Sequence, residues 1–268
     1  MKPLFDSGSI LQDTPTKTLD GINCFDRNGD NEWFETAYND LAEPWDYSKR
    51  GGELFRQKFS VEQIRKHNSA PEALLELGCS KGLMTKLLIP FCKNIYASDI
   101  SLSAIKACKE NCDIPAKQHN CNMEYFVTGV PGLPFADNSF DIVSICDGLA
   151  GWWLSIDQRR QALEDAHRVL KKGGIAILTD CLMPEVVKHE EFEAYIQIVR
   201  ESSLSILDVK FLYDKPWYKL ESVLKKNRLE GAFSKLLANV SFAKVLNSVG
   251  GVIGKKAARH IVIIVQKD

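Results

Sequence analysis

Ala73-Leu-Leu-Glu-Leu-Gly-Cys-Ser-Lys-Gly-Leu-Met-Thr-Lys-Leu-Leu88 decides how the rest of the chain is read. Its apolar run breaks at glycines and resumes at once with helical spacing, the pattern of a strand, a tight loop and a helix start. The order Glu76, Gly78, Ser80, Gly82 suits a loop that lets a nucleoside ligand approach the backbone closely. A glycine-rich turn alone is weak evidence, because ordinary strand-to-helix turns look the same. The sequel strengthens it. Twenty-one positions beyond Gly78, Asn94-Ile-Tyr-Ala-Ser-Asp99 reads as a second strand ending in a carboxylate. A doubly wound sheet places such an acid against the two hydroxyls of a ribose. A plain helix cap is the other reading of Asp99.

Two nucleotide ligands compete for this loop. A dinucleotide fingerprint needs glycines where Ser80 and Leu83 stand, so two of its three glycines are absent. S-adenosylmethionine carries no pyrophosphate and has less need of a phosphate-cradling helix terminus. An acid at the end of the first strand, Glu76, suits its cationic ammonium.

Four stretches then fall in order: Glu76-Leu-Gly-Cys-Ser-Lys-Gly82, Ala97-Ser-Asp-Ile-Ser101, Leu133-Pro-Phe-Ala-Asp-Asn-Ser-Phe-Asp-Ile-Val143 and Val169-Leu-Lys-Lys-Gly-Gly174. Together, over residues 71–182, they resemble the landmarks of class I S-adenosylmethionine-dependent methyltransferases. Gly78 to Thr85, with Pro44-Trp-Asp-Tyr47 upstream, resembles the nodulation N-methyltransferase group. The resemblance implies S-adenosylmethionine as cofactor, held by Glu76, Gly78, Cys79, Ser80, Gly82, Asp99, Ile100, Gly129, Val130, Cys146 and Gly148. It departs at Gly129, where family members often carry an Asp for the adenine amino group.

Length and composition agree with one large α/β core: 268 residues, 45% hydrophobic, formal net charge −1. That charge offers no global attraction for nucleic acid, and the basic stretch near the end lacks a reading motif. It is uneven, however. Val209 to His260 holds eleven Lys/Arg against three acids, and Met1 to Glu43 nine acids against three bases. Solvated faces explain this asymmetry, and an anionic acceptor meeting the basic segment is the alternative. Met1 to Asp6 lacks the apolar stretch of a signal peptide and no run approaches a membrane span, so a cytoplasmic protein is expected, its eight cysteines reduced. No metal is expected either. The spacing of Cys108, Cys112, His119 and Cys121 matches no common zinc pattern, and the calcium-like Asp26-Arg-Asn-Gly-Asp-Asn31 has Ala37 where a closing glutamate belongs.

The expected fold is α/β: a doubly wound, mainly parallel, seven-stranded sheet with strands near 73–77, 94–98, 124–128, 140–146, 175–180, 205–212 and 260–266. Helices are expected near 81–90, 102–112 and 156–171, the last capped by Ser155 with Gln158 and ending at Gly173 and Gly174. Residues 1–68 read as an arm, poorly ordered to about residue 22 unless docked, followed by a helical cap dense in aromatics. Residues 69–268 read as the cofactor-binding domain, with a helical insertion at about 216–254 between the last two strands. Gly250, Gly251 and Gly254 are assigned to its turn back.

Sites in such sheets lie beyond the carboxyl ends of the strands. Transfer of an already activated methyl asks the protein chiefly to align two molecules and exclude water. An amine nucleophile must first lose a proton, and Asp147, after the fourth strand, is the candidate base; a cap or a contact to the cofactor ammonium is the equal alternative. Tyr47 and Trp45 by resemblance, and Trp152 or Trp153 by position, are candidates to wall the acceptor pocket, with Tyr47 and Trp152 carried as site residues. The leading function is methyl transfer to a small-molecule amine or hydroxyl. A nicotinamide-dependent oxidoreductase and a non-catalytic binding protein of the same fold are the alternatives, and oligomeric state is open.

Overall fold

A computed structural model describes residues 10–25, 32–40, 43–151, 153–182 and 189–268. The calcium-like Asp26 to Asn31 and Trp152 lie outside them. The strands are β1 (Lys17–Leu19), β2 (Ile22–Cys24), β3 (Ala73–Leu77), β4 (Asn94–Asp99), β5 (Asn122–Val127), β6 (Phe140–Cys146), β7 (Leu170–Cys181), β8 (Ser205–Leu212) and β9 (His260–Gln266). The helices are α1 (Glu32–Asp40), α2 (Gly51–His67), α3 (Thr85–Leu88), α4 (Leu102–His119), α5 (Ile156–Val169), α6 (His189–Arg200), α7 (Lys215–Lys226), α8 (Ser234–Leu237) and α9 (Val240–Ile253).

The central strands are largely buried and mostly apolar because helices cover both faces, with polar residues such as Glu76 and Asp99 near their carboxyl ends. Every residue of β3 is buried, and β9 is buried from His260 to Val265. The strands join in the order β1-β2-β5-β4-β3-β6-β7-β9-β8. From β2 to β7 the pairings are parallel, and β9 returns antiparallel between β7 and β8. One core, containing Leu75, Phe126, Phe140 and Ile263, lies on one face; Leu74, Ile95, Ile142 and Ile264 belong to a second. Adjacent strand residues falling into different cores is the period-two consequence of the pleat.

The doubly wound sheet is therefore present, with nine strands among the described residues where seven were expected. The two additional strands are the three-residue pair β1 and β2, too short for a periodic signal, which docks the amino-terminal segment on the β5 edge. Other boundaries moved for identifiable reasons. The helix after the glycine loop begins only at Thr85, because Ser80 and Gly82 both have positive φ. Helix α4 continues through Pro115 to His119. Helix α5 keeps its Ser155/Gln158 capping box but stops at Val169. Gly173 and Gly174 lie in β7, bonded through their backbones to Lys267 at 2.7 and 3.0 Å. Gly250 and Gly251 lie inside α9, and the turn falls to Gly254 alone, at φ 82°. No helix among the described residues is long and apolar enough to cross a membrane.

Candidate active site

Beyond the carboxyl ends of β3, β4, β5, β6 and β7 lies a cavity of about 1000 Å³, roofed by α1, the segment 44–50 and the start of α2. The half proposed for the nucleoside is built around the glycine loop and the end of β4. Gly78 has φ 78°, a conformation that costs a residue with a Cβ about 1–2 kcal/mol, and its backbone lies close to the Cys146 carbonyl. Asp99, at the end of β4, accepts the Ser80 N–H at 2.9 Å and the Ser101 N–H at 3.0 Å. Burial nonetheless pushes its carboxyl up to about 6. Each carboxylate oxygen keeps a lone pair for a ribose hydroxyl. Glu76 is also fully buried, accepts the Thr85 hydroxyl at 2.7 Å, and is pushed by burial to about 7.

Gly129 explains its own departure from the family pattern. A Cβ there would lie 2.4 Å from Ile100 Cγ2, so the Ile100 side chain occupies the space an aspartate would need. Neighbouring Thr128 supplies polarity instead: its Oγ1 is buried without a hydrogen-bond partner among the described residues, as is Gln57 Oε1 on α2. Both residues line the cavity. A buried orphan acceptor or hydroxyl costs roughly 1–3 kcal/mol, which a bound polar ligand would recover. With Asp99 for the ribose and Gln57 Oε1 for an ammonium, this donor and acceptor set fits S-adenosylmethionine.

The other half carries charge that sequence reading missed. Arg56 is buried, bonding Glu53 through Nε and Nη2 (3.1 and 2.9 Å), Asp147 through Nη2 (2.8 Å) and Cys146 Sγ through Nη1 (2.9 Å). Arg50 grips Glu221 bidentately at 2.7 and 2.6 Å and reaches Glu53 at 3.2 Å. Burial would raise the Glu53 carboxyl, but Arg56, His260, Arg50 and the Tyr218 hydroxyl hold it at about 2. Asp180 is buried, accepts the N–H groups of Leu149 and Ala150 and the Tyr195 hydroxyl, and so fixes the loop after β6.

Of the sequence-selected residues, Glu76, Gly78, Cys79, Ser80, Asp99, Ile100, Gly129, Val130, Cys146 and Gly148 line the cavity, with Asp147 and Tyr47. Gly82 does not. It turns away to pack on Cys112 and Cys108, where a Cβ would meet sulfur at 2.6 Å, so it shapes the loop from behind. Asp147 reaches the rim but is engaged by Arg56 and by the Cys181 N–H at 3.2 Å. Trp153 lines the cavity against Phe34. Trp45 donates from Nε1 to the Tyr38 hydroxyl (3.3 Å), which donates to Ser80 Oγ (2.8 Å), tying the roof to the loop. Gln57, Thr128, Arg50, Glu53, Arg56, Cys181, Arg259 and His260 had no motif to announce them. The one available signal was the consecutive Arg259-His260 opening an otherwise apolar strand.

Comparison with known proteins bears on the fold and the reaction class. A family model described as a methyltransferase domain matches residues 75–178. A ubiquinone/menaquinone biosynthesis C-methyltransferase, UbiE, of Pseudoalteromonas translucida is 24% identical over 208 residues, covering 74% of this chain and 76% of its own. The UbiE protein of Geotalea uraniireducens is 23% identical over 232 residues, 82% and 93% of the two chains. Among solved structures, the N-methyltransferase NodS of Bradyrhizobium japonicum with S-adenosyl-L-homocysteine aligns with a TM-score of 0.56 at 20% identity, over 68% and 90% of the chains. The geranyl diphosphate C-methyltransferase of Streptomyces coelicolor aligns at 0.54 and 11% identity, over 79% and 76%. These structures share the fold, and the family match falls on the strands that carry the glycine loop and Asp99. The chain carries a methyltransferase domain over residues 75–178 and is an S-adenosylmethionine-dependent methyltransferase.

Proposed function

We propose that the enzyme methylates a small planar acceptor bearing an acidic hydroxyl, of the quinol class, at a ring carbon beside that hydroxyl. One observation carries this reading. Arg259 faces the acceptor half of the cavity with no carboxylate within ion-pair distance among the described residues, lying 3.6 Å over the Tyr218 ring. Beside it, burial disfavours charge on His260, yet Asp214 and Cys181 raise its imidazole to about 10, so it is a second cation. An oxyanion is what two adjacent cations attract. An ammonium acceptor would be repelled, and the nearby carboxylates Glu53 and Asp147 are already held by arginines. The C-methyltransferase names of the UbiE relatives support a carbon nucleophile.

S-adenosylmethionine supplies the activated methyl group, and the chain's own residues do the rest. Asp99, Thr128 and Gln57 hold the donor; Trp45, Tyr47 and Trp153 wall a planar acceptor; Arg259 and His260 keep its oxygen ionised, which enriches the adjacent carbon in electron density. The test is mass spectrometry of methyl transfer across hydroxylated rings and matched amines. Methylation at a ring carbon of the phenolic set is the expected result. Methylation confined to amines would refute it.

A further inference from the structure

We propose that Cys181, His260 and Asp214 form a thiolate–imidazolium relay in the acceptor half of the cavity, and that Cys181 is the base that takes the acceptor's hydroxyl proton. The proposal deepens the methyl-transfer reading above and rests on it for the proton's origin. The thiol chemistry itself does not.

Three chain segments meet here by register. Cys181 closes β7 and His260 opens β9, and the two are direct cross-strand partners in the antiparallel pair. Leu212 pairs with His260 from the other side, and Asp214 follows two residues later at the start of α7. Asp214 Oδ2 lies 2.5 Å from His260 Nδ1, which leaves the other ring nitrogen free of that carboxylate, and the imidazole acts on the charge of its cross-strand neighbour Cys181. Arg259 Nε donates to the same sulfur at 3.2 Å. The sulfur thus accepts from one cationic donor and neighbours a second cation across the strand pair, and Cys181, Arg259 and His260 all line the cavity.

Charge decides the protonation state. Burial works against an ionised thiol, but His260 and Arg259 outweigh it and lower Cys181, while Asp147 opposes them. Arg56 neutralises that Asp147 at 2.8 Å. From α2, Glu53 is held by Arg56 and Arg50; from α7, Asp214 acts through His260 and the Tyr218 ring covers Arg259. Cys146, also at the cavity wall, goes the opposite way: burial pushes it up to about 12. The described cysteines other than Cys146 and Cys181 are buried. Cys181 is therefore a cavity thiol whose ionisation its surroundings favour, with its positive partners already in place.

In the step, the acceptor O–H bond breaks and its proton goes to Cys181 Sγ. The negative charge passes to the acceptor oxygen, beside Arg259 and His260. The electron pair delocalised onto the ring carbon forms the new C–C bond, and the sulfonium sulfur keeps the pair of the bond that breaks. The ring carbon then loses its proton to solvent, which restores the aromatic ring as its oxyanion, and Cys181 returns its proton to that oxygen, so that one proton is released overall and the thiolate is regenerated. A thiolate of lowered basicity suits an acidic hydroxyl, because general bases act best when matched to the operating pH.

The experiment has two readouts on the full-length chain. The first is iodoacetamide alkylation of Cys181 from pH 5.5 to 9, followed by peptide mass mapping. Alkylation at pH 6.5 is expected at least tenfold faster than that of glutathione and to fall at least tenfold in His260→Gln, with Asp214→Asn between. This readout needs no methyl transfer, so it stands or falls apart from the acceptor assignment. The second is the pH profile of acceptor kcat/KM in Cys181→Ser, checked for native circular dichroism: a loss of a hundredfold or more is expected, with the rising limb of the wild-type profile gone. Equal alkylation rates for wild type and His260→Gln would overturn the relay. Wild-type turnover in Cys181→Ser would overturn its role as base.

Discussion

Glu53→Gln is the substitution with the largest consequence for the folded state. Its carboxylate bonds Arg56 of the same helix (2.9 Å) and Arg50 at the helix cap (3.2 Å), and ties α2 to α7 through the Tyr218 hydroxyl (2.8 Å); only 4% of the residue is exposed, so solvent screens little of the interaction. The fall of its pKa from 4.5 to about 2 corresponds to about 3 kcal/mol, at 1.36 kcal/mol per tenfold. Breaking a buried pair by removing one partner costs about 3–5 kcal/mol, a compatible figure. Because the folded pKa is depressed, this stability is fully present above the unfolded value of 4.5 and is lost as pH falls toward 2. Denaturant titration at pH 7 is expected to show Glu53→Gln about 3 kcal/mol less stable, or roughly 6–12 °C lower in melting temperature. Between pH 5 and 3 the variant should lose stability less steeply than wild type, since it lacks one titrating carboxylate. A deficit under about 1 kcal/mol at pH 7, with parallel pH curves, would refute the reasoning.

Three further outcomes follow from the nucleoside half. Asp99→Asn should weaken S-adenosylmethionine binding by about 10- to 100-fold in calorimetry, the worth of charged hydrogen bonds, and wild-type affinity should decline below about pH 6 as Asp99 takes a proton. Gly129→Ala should weaken binding by displacing Ile100, and Gly129→Ala with Ile100→Ala should lose less than the two single losses added, measured as a double-mutant cycle. Ser80→Gly relaxes a residue at φ 51° but removes the acceptor of the Tyr38 hydroxyl. Its release of S-adenosyl-L-homocysteine should quicken severalfold in stopped-flow displacement.

The sequence made the nucleoside half legible because its function lies in local backbone: a strand end, a positive-φ glycine and a carboxylate at the next strand end. Gly78 and Asp99 carry that information within 22 residues. The acceptor half draws Arg50 from the cap of α2, Glu53 from its first turn, Cys181 from β7 and Arg259 from before β9, so no local spacing links the three segments. Asp147 was visible as a rim carboxylate, but its engagement by Arg56 depends on a helix whose docking no pattern specified. The hairpin of β1 and β2 escaped for a different reason, since three-residue strands take their order from the β5 edge and not from their own periodicity.

The chain of hydrogen bonds from Trp45 through Tyr38 to Ser80 also bears on the order of events in a catalytic cycle. The roof is fastened to the very loop proposed to receive the nucleoside, and on that proposal the two ligands do not have equivalent entrances. A donor must arrive before that fastening is made and depart after it is undone, whereas the acceptor faces α2 and the segment leading into β9. Initial-rate kinetics should accordingly be sequential and ordered, with the methylated product leaving first and the spent donor last.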